Sequence, residues 1–227
     1  PDRVGETLMG LGNVLSTSGE LEGALSLYER ARTLFEQHED LQAAAHVRHS
    51  LGIVLMQTGR PRESLEHFQE SLASMQRLED GAGECRALTE LARCYFVLGE
   101  RAPAAEFAER ALARSRAAGQ PDEGARARIV LGMLAAERGD TEAAAGALQE
   151  AAAQCRRSGM MAELVAICHE LARLAGREGH YKEAAAYHEQ AHDALRAVKP
   201  TDVVAAVHLA DLVGLKAEAA KGSKRPR

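Results

Sequence analysis

Two histidine pairs, His46 with His49 and His188 with His192, come nearest in type and spacing to metal chemistry. The second pair is spaced i, i+4, which puts both rings on one helix face, where they could take two positions of a zinc ion if a third ligand stood near. Two half-exposed histidines on a surface or groove are the simpler reading. Four cysteines, Cys85, Cys94, Cys155 and Cys168, form no C-x-x-C pair and fall inside helical patterns. They are expected to be reduced, partly buried thiols that behave as small hydrophobes. No phosphate-binding G-x-x-x-x-G-K, no G-x-S-x-G and no H-E-x-x-H is present. The expectation is a protein with no catalytic residues, no cofactor and no metal.

Elements must position whatever chemistry remains, and here they repeat. Leucine recurs at Leu11, Leu51, Leu91, Leu131 and Leu171, and glycine at Gly19, Gly59, Gly99, Gly139 and Gly179, each 40 residues after the last. A fixed period in this range marks a repeat array. Within the first copy Leu8, Leu11, Gly12 and Leu15 share one helical face, and Gly19 stops that helix by taking a left-handed cap. A second helix follows through Ala24, Leu27, Tyr28, Ala31 and Phe35. Small residues recur at Gly12, Gly52, Ala92, Gly132 and Ala172 in the first helices, and at Ala24, Ser64, Ala104, Ala144 and Ala184 in the second. They let two backbones approach closely in a packed interior. Two antiparallel helices per copy, stacked in series, predict an all-α chain, a right-handed α-solenoid of five helix pairs.

The run leucine–glycine, then glycine, alanine, aromatic and alanine resembles the tetratricopeptide repeat. Leu11, Gly12, Gly19, Ala24, Tyr28 and Ala31 carry the resemblance best, and it extends over about residues 5–204. The family's frequent tryptophan is replaced by Leu8, Arg48, Leu88, Arg128 and Cys168. Its aromatic at Tyr28 and Phe68 becomes Ala108, Leu148 and His188. The period of 40 resembles that of LGN/Pins-type adaptors, bacterial regulators and quorum-peptide receptors more than the usual 34. Repeats are expected at about 5–44, 45–84, 85–124, 125–164 and 165–204, forming a single solenoid over 1–220. A capping helix is expected over about 202–220, and the basic tail at 221–227 is expected to be disordered.

The resemblance implies that the first helices line a concave groove. Mapped onto this chain, that face holds Met9, Asn13, His49, Ile53, Met56, Arg86, Arg93, Phe96, Arg126, Ile129, Met133, His169, Arg173 and Arg177. The 25 mapped positions carry five arginines against two glutamates, a formal +3 on a chain of net charge −5. Arginine holds a carboxylate by two parallel hydrogen bonds. Arg86, Arg93, Arg126 and Arg173 are therefore the expected contacts to an acidic partner, with the methionines, isoleucines and Phe96 as an adaptable apolar lining. The opposing expectation is that these arginines pair with acids on neighbouring helices, Glu90 or Glu137 among them. The family's dicarboxylate clamp, which uses lysine and asparagine, finds only Asn13 here.

The expected function is a non-enzymatic interaction scaffold that binds an acidic, hydrophobic segment of a partner protein. The alternative is a sensor or oligomerisation domain of a larger bacterial regulator, responsive to a peptide. The negative net charge argues against a nucleic-acid partner for this domain. No run of 18 apolar residues occurs and no signal-peptide pattern opens the chain, so a soluble, cytoplasmic protein without membrane contact is expected. Homo-oligomers are compatible with such an array. The opening at Pro1 suggests a fragment or processed chain with room for a further domain upstream.

Overall fold

A computed structural model of the chain describes residues 2–197, all arranged as helices and short turns. The helices are α1 (Asp2–Ser18), α2 (Leu21–Gln37), α3 (Leu41–Gln57), α4 (Pro61–Arg77), α5 (Gly81–Val97), α6 (Arg101–Ala117), α7 (Pro121–Glu137), α8 (Thr141–Ser158), α9 (Met161–Arg177) and α10 (Tyr181–Ala197). They form five helix pairs of the α-solenoid class, with no strand among the described residues. The expected capping helix over 202–220 and the tail at 221–227 lie outside the described residues. Two compact units divide the chain, residues 1–130 and 131–227. The first holds α1 to α6 and most of α7, the second the end of α7 and α8 to α10.

The expected glycine stops occur. Gly99 has φ 80°, its N–H reaches the Phe96 carbonyl at 3.1 Å, and the Glu100 N–H reaches the Tyr95 carbonyl at 2.9 Å. This is the double bond of a left-handed C-terminal cap. A second set of left-handed residues, not anticipated, ends the second helices. It comprises Gly119 and Gly159, but also Glu39 and Glu79 at φ 56° and 55°. Glutamate has a Cβ, so it is strained in this conformation. The aspartate that follows starts the next helix: Asp40 and Asp80 each accept a hydrogen bond from the backbone N–H three residues on, at 2.9 Å.

Packing within a pair is set by one size-matched position. An added Cβ on Gly52 would lie 2.5 Å from the Phe68 ring, and one on Gly12 would lie 2.7 Å from the Tyr28 ring. Where the second helix carries Ala108, the first carries Ala92 rather than glycine, and both are fully buried. The departure at Ala108 therefore matches its partner position, and Leu148 meets glycine again at Gly132. The core of the first unit grows from these contacts. Tyr28, Phe35, Val47, Leu51 and Val54 form one cluster, and Phe68, Leu72, Leu88, Leu91 and Ala127 another. Arg48, in the tryptophan position, instead ties three helices together through Glu36 of α2 at 2.7 Å and Glu70 of α4 at 3.0 Å.

Stacking between pairs buries the leading leucine in three copies and half-buries it at Leu131. Leu51, Leu91 and Leu171 are at most 2% exposed, while Leu11 in the same register is 49% exposed.

Two stability measurements test this packing. Gly52→Ala should cost about 2 kcal/mol by overpacking. A double-mutant cycle with Phe68→Ala should show a favourable coupling of about 1 kcal/mol or more, since the clash disappears. Additive effects would dismiss the size match. Separately, Glu79→Gly should stabilise the chain by about 1 kcal/mol in urea denaturation by relieving the left-handed strain.

Candidate functional site

First helices α3, α5 and α7 of the first unit expose one face that differs in kind from the rest of its surface. Several ion pairs elsewhere are exposed and local, such as Arg60 with Glu63 at the start of α4 and Arg110 with Glu106 on α6. On this face the carboxylates are buried. Glu90 of α5 is buried and accepts two hydrogen bonds from Arg93 Nη1, both at 2.8 Å. Glu123 of α7 is buried and accepts from Arg126 Nη1 at 2.7 Å. The second unit repeats the device by itself. Glu170 of α9 is buried and pairs with Arg173, and Glu163 of the same helix is buried as well.

Each pair has the arginine three residues after the glutamate, so one helix supplies both members on one side. The arginines expected to be open cations, Arg93, Arg126 and Arg173, are thus already engaged by acids of their own helices, and the Arg126 charge also reaches Glu90 of α5. Glu90 was among the acids expected to pair with these arginines, on a neighbouring helix; Glu123 and Glu170 lie outside the mapped positions and were not expected. The signal that could have found them is the E-x-x-R spacing, read together with the apolar register around Glu90 and Glu170.

Electrostatics differ along the row. Burial alone would raise the Glu90 carboxyl, but the charges of Arg93 and Arg126 and the Arg93 hydrogen bond outweigh it and hold it below the usual carboxylate range. Glu123 goes the other way: burial and the nearby Glu90 charge push it up against the pull of Arg126 and Thr89. His49 of α3 packs its ring 5.5 Å from that of Phe68. Burial above all, with Arg86, His46 and Arg93 nearby and only Glu90 opposing, lowers its imidazole to about 4. His49 is therefore neutral at physiological pH. His46 lies 3.9 Å from Asp80 and is also lowered, by burial first and then by Arg86.

The other expected residues divide by exposure. Met9, Ile53 and Met56 are half-buried and offer apolar surface. Phe96, Ile129 and Met133 are buried, so they act as core; the Phe96 ring carries the Arg101 guanidinium 4.5 Å from its centroid. Asn13 is exposed and accepts a hydrogen bond from the Tyr28 hydroxyl at 2.6 Å. In the second unit His169 is half-buried with its ring 5.7 Å from that of His188, while Arg173 and Arg177 are exposed. His188 and His192 line a surface hollow with Glu189 and Asp193. Among the described residues no three metal-capable side chains cluster as a site for an ion.

All four cysteines are buried and free of disulfides. Burial pushes the Cys85 and Cys94 thiols up to about 11, which leaves them unreactive at neutral pH. Among the described residues no helix is long and apolar enough to cross a membrane.

Models of the tetratricopeptide repeat match residues 4–39, 41–117 and 125–150, together well over half of the chain. Over 103 residues, 45% of the chain, the sequence is 31% identical to the regulatory protein AfsR of Streptomyces coelicolor, and that stretch is 10% of AfsR. A Rap protein complexed with competence and sporulation factor superposes with a TM-score of 0.74 at 17% identity, covering 84% of this chain and 53% of that one. The Rap conjugation gene regulator of the plasmid pLS20, solved in complex with a Phr peptide, gives 0.73 at 16% identity, with 83% and 52% covered. The chain therefore spans about a tenth of the curated relative and about half of these solved chains. At such identities the solved structures establish the fold alone.

The neutral His49 makes stability depend on pH with a definite sign. Its proton affinity falls from the ordinary 6.5 to about 4 on folding, so the unfolded chain takes up the proton first as pH drops. The contribution is complete above pH 6.5 and is lost progressively toward pH 4, about 3 kcal/mol in all. Urea denaturation of wild type and His49→Gln at pH 7.5 and 5 should show a smaller acid loss in the variant. Equal losses would mean that His49 titrates normally in the folded chain.

Proposed function

The chain belongs to the tetratricopeptide repeat family, and on that premise we propose that it is a non-enzymatic scaffold whose first-helix face in residues 1–130 binds an extended segment of a partner protein. One observation carries the reading: that face holds the buried Glu90–Arg93 and Glu123–Arg126 pairs. Burying ions is costly, and a pair replaced by apolar residues of equal volume often leaves a protein as stable or more so. Such pairs are more intelligible as contacts than as supports, because each offers both donors and acceptors. An extended segment presents both along its backbone and needs both satisfied.

Half-buried Ile53 and Met56 supply apolar surface beside the polar row, with the adaptability of a thioether side chain. Arg86 supplies the positive charge that favours an acidic residue in the segment. The absence of any catalytic role is part of the same reading, since the thiols are protonated and buried. Free cysteines throughout fit a cytoplasmic setting.

The alternative places this scaffold as the sensing part of a larger regulator. What favours it is the 31% identity to AfsR, a regulatory protein of which the matched stretch is only a tenth. The likeness to a Rap regulator bound to a Phr peptide fits both readings, with the segment then being a free peptide.

Panning a display library of random 12-residue peptides against the whole chain tests the proposal. Enriched peptides should compete with one another, and Met56→Lys should weaken their binding at least tenfold while circular dichroism stays unchanged. Enrichment of peptides indifferent to Met56→Lys would move the binding surface elsewhere, and no enrichment would remove the scaffold reading for short segments.

A further inference from the structure

Terminal repeats of a stacked array need a polar outer face, because no neighbour covers them. The outer face of α1 is not of that kind. Val4 and Val14 are 58% and 60% exposed, and Leu11 lies between them on the same stripe. In α3 the same register holds Ala44, Leu51 and Val54, each 1% exposed and packed with residues of α2. In α9 it holds Leu164, Leu171 and Leu174, again buried. Thr7 interrupts the α1 stripe, and its hydroxyl already donates to the Arg3 carbonyl at 2.6 Å. Helix α1 therefore presents, uncovered, the half of the contact between successive pairs that a first helix supplies.

Helix α10 presents the other half. Leu195 is 56% exposed, while Phe35, Met75, Ser115 and Cys155 in the same register are at most 3% exposed. Ala184 is half-buried, while Ala24, Ser64, Ala104 and Ala144 are fully buried. Contacts inside the chain show how the two halves meet. Ser64 Oγ of α4 lies 3.2 Å from Cys94 Sγ of α5, which in register sets Ala184 against Val14. A Cβ on Gly124 of α7 would lie 2.7 Å from Ser115 Oγ of α6, which sets Leu195 against Val4. Leu51 shares a cluster with Tyr28 and Ala31, which sets Leu11 against His188 and Ala191. These matches oppose apolar side chains at both ends of the stripe, place one imidazole at its centre and set no like charges against each other.

We propose that the outer face of α1 is a docking surface for α10 of a second copy of this chain, so that copies stack head to tail by the contact that already joins α2 to α3, α4 to α5 and α8 to α9. The occupant follows from the register: one sequence carries both halves of the contact, and each half is left open. Such a contact is heterologous. Every added copy leaves one α1 face and one α10 face free, so assembly continues past the dimer. Removal of Val4, Leu11, Val14 and Leu195 from water drives it. One helix against one helix is a small interface, so the association is weak, with a dissociation constant on the order of 100 μM. None of these residues belongs to the face that carries Met56 and the buried glutamate–arginine pairs, so the assembly stands apart from the peptide-binding reading.

Sedimentation velocity of the full chain, from about 10 μM to about 1 mM, tests the assembly. The expected result is a mass that rises with concentration and passes that of a dimer. Val14→Glu removes the α1 half and Leu195→Glu the α10 half, and each variant alone should stay monomeric over the whole range. An equal mixture of the two should form a dimer and stop there, because the intact α10 of one variant meets the intact α1 of the other. Val97→Glu, at an exposed apolar position outside both faces, should associate like wild type. Circular dichroism checks that each variant folds, and Leu11→Lys takes the place of Val14→Glu if that one does not. A wild-type chain that is monomeric throughout overturns the proposal, and would mean that residues 198–227 or a different protein occupy these faces. Association lost in Val14→Glu but kept in Leu195→Glu also overturns it, in favour of two α1 faces packing on each other. A mixture that remains monomeric overturns the head-to-tail polarity. None of these outcomes bears on peptide selection, which reads a different face.

Discussion

The close approach of the two helices within each pair is the constraint on which the other features rest. It is controlled at one position, where glycine meets a ring in Gly12–Tyr28 and Gly52–Phe68 and alanine meets alanine in Ala92–Ala108. With the helices this close, the apolar stripe is satisfied inside the pair and against the second helix of the preceding pair. The opposite face of the first helix is left for other purposes. Such a scaffold tolerates polar groups there because its stability is supplied elsewhere, by clusters such as Phe68, Leu88 and Leu91.

Most of the fold could be read from the sequence, because a 40-residue period registers leucine, glycine and a small residue at five places at once. A pattern that returns five times averages out local ambiguity. Glu39 and Glu79 could not be read in this way. The chain is forced left-handed there by the geometry of the turn, while local preference points elsewhere. The replacement of tryptophan by Arg48 read as a loss of pattern, yet it marks a link between Glu36 and Glu70, whose positions only the fold brings together.

Which helices carry the candidate residues was legible in the sequence, and their electrostatics less so. Register placed Arg86, Arg93, Arg126 and Arg173 correctly on the first helices. It could not show that Glu90, Glu123 and Glu170, nominally on the packing side, turn toward them and remain buried. Charge counted by position gives a basic face. Charge counted with the buried glutamates gives an almost balanced one. Likewise Phe96 and Ile129 were placed on the right helices, yet close packing draws them under the surface, since a large apolar side chain at the edge of a face gains more by burial than by waiting for a ligand. Long-range recognition by net field is therefore weaker than the arginine count suggests, and short-range geometry matters more.

The size match between Gly52 and Phe68, and its absence between Ala92 and Ala108, also bears on how such a chain can change over generations. Repeated sequences invite unequal recombination. A crossover at the turns around residues 39, 79, 119 and 159 exchanges whole pairs and keeps every matched contact. A crossover at the turns around 19, 59, 99 and 139 would join the first helix of one pair to the second of another, and would set the Ala92 methyl against a ring like that of Phe68. Selection would remove such hybrids. The heritable module in this array is then the helix pair, bounded by the turn at which Glu39 and Glu79 sit, and repeat number can drift while pairing inside each repeat is conserved.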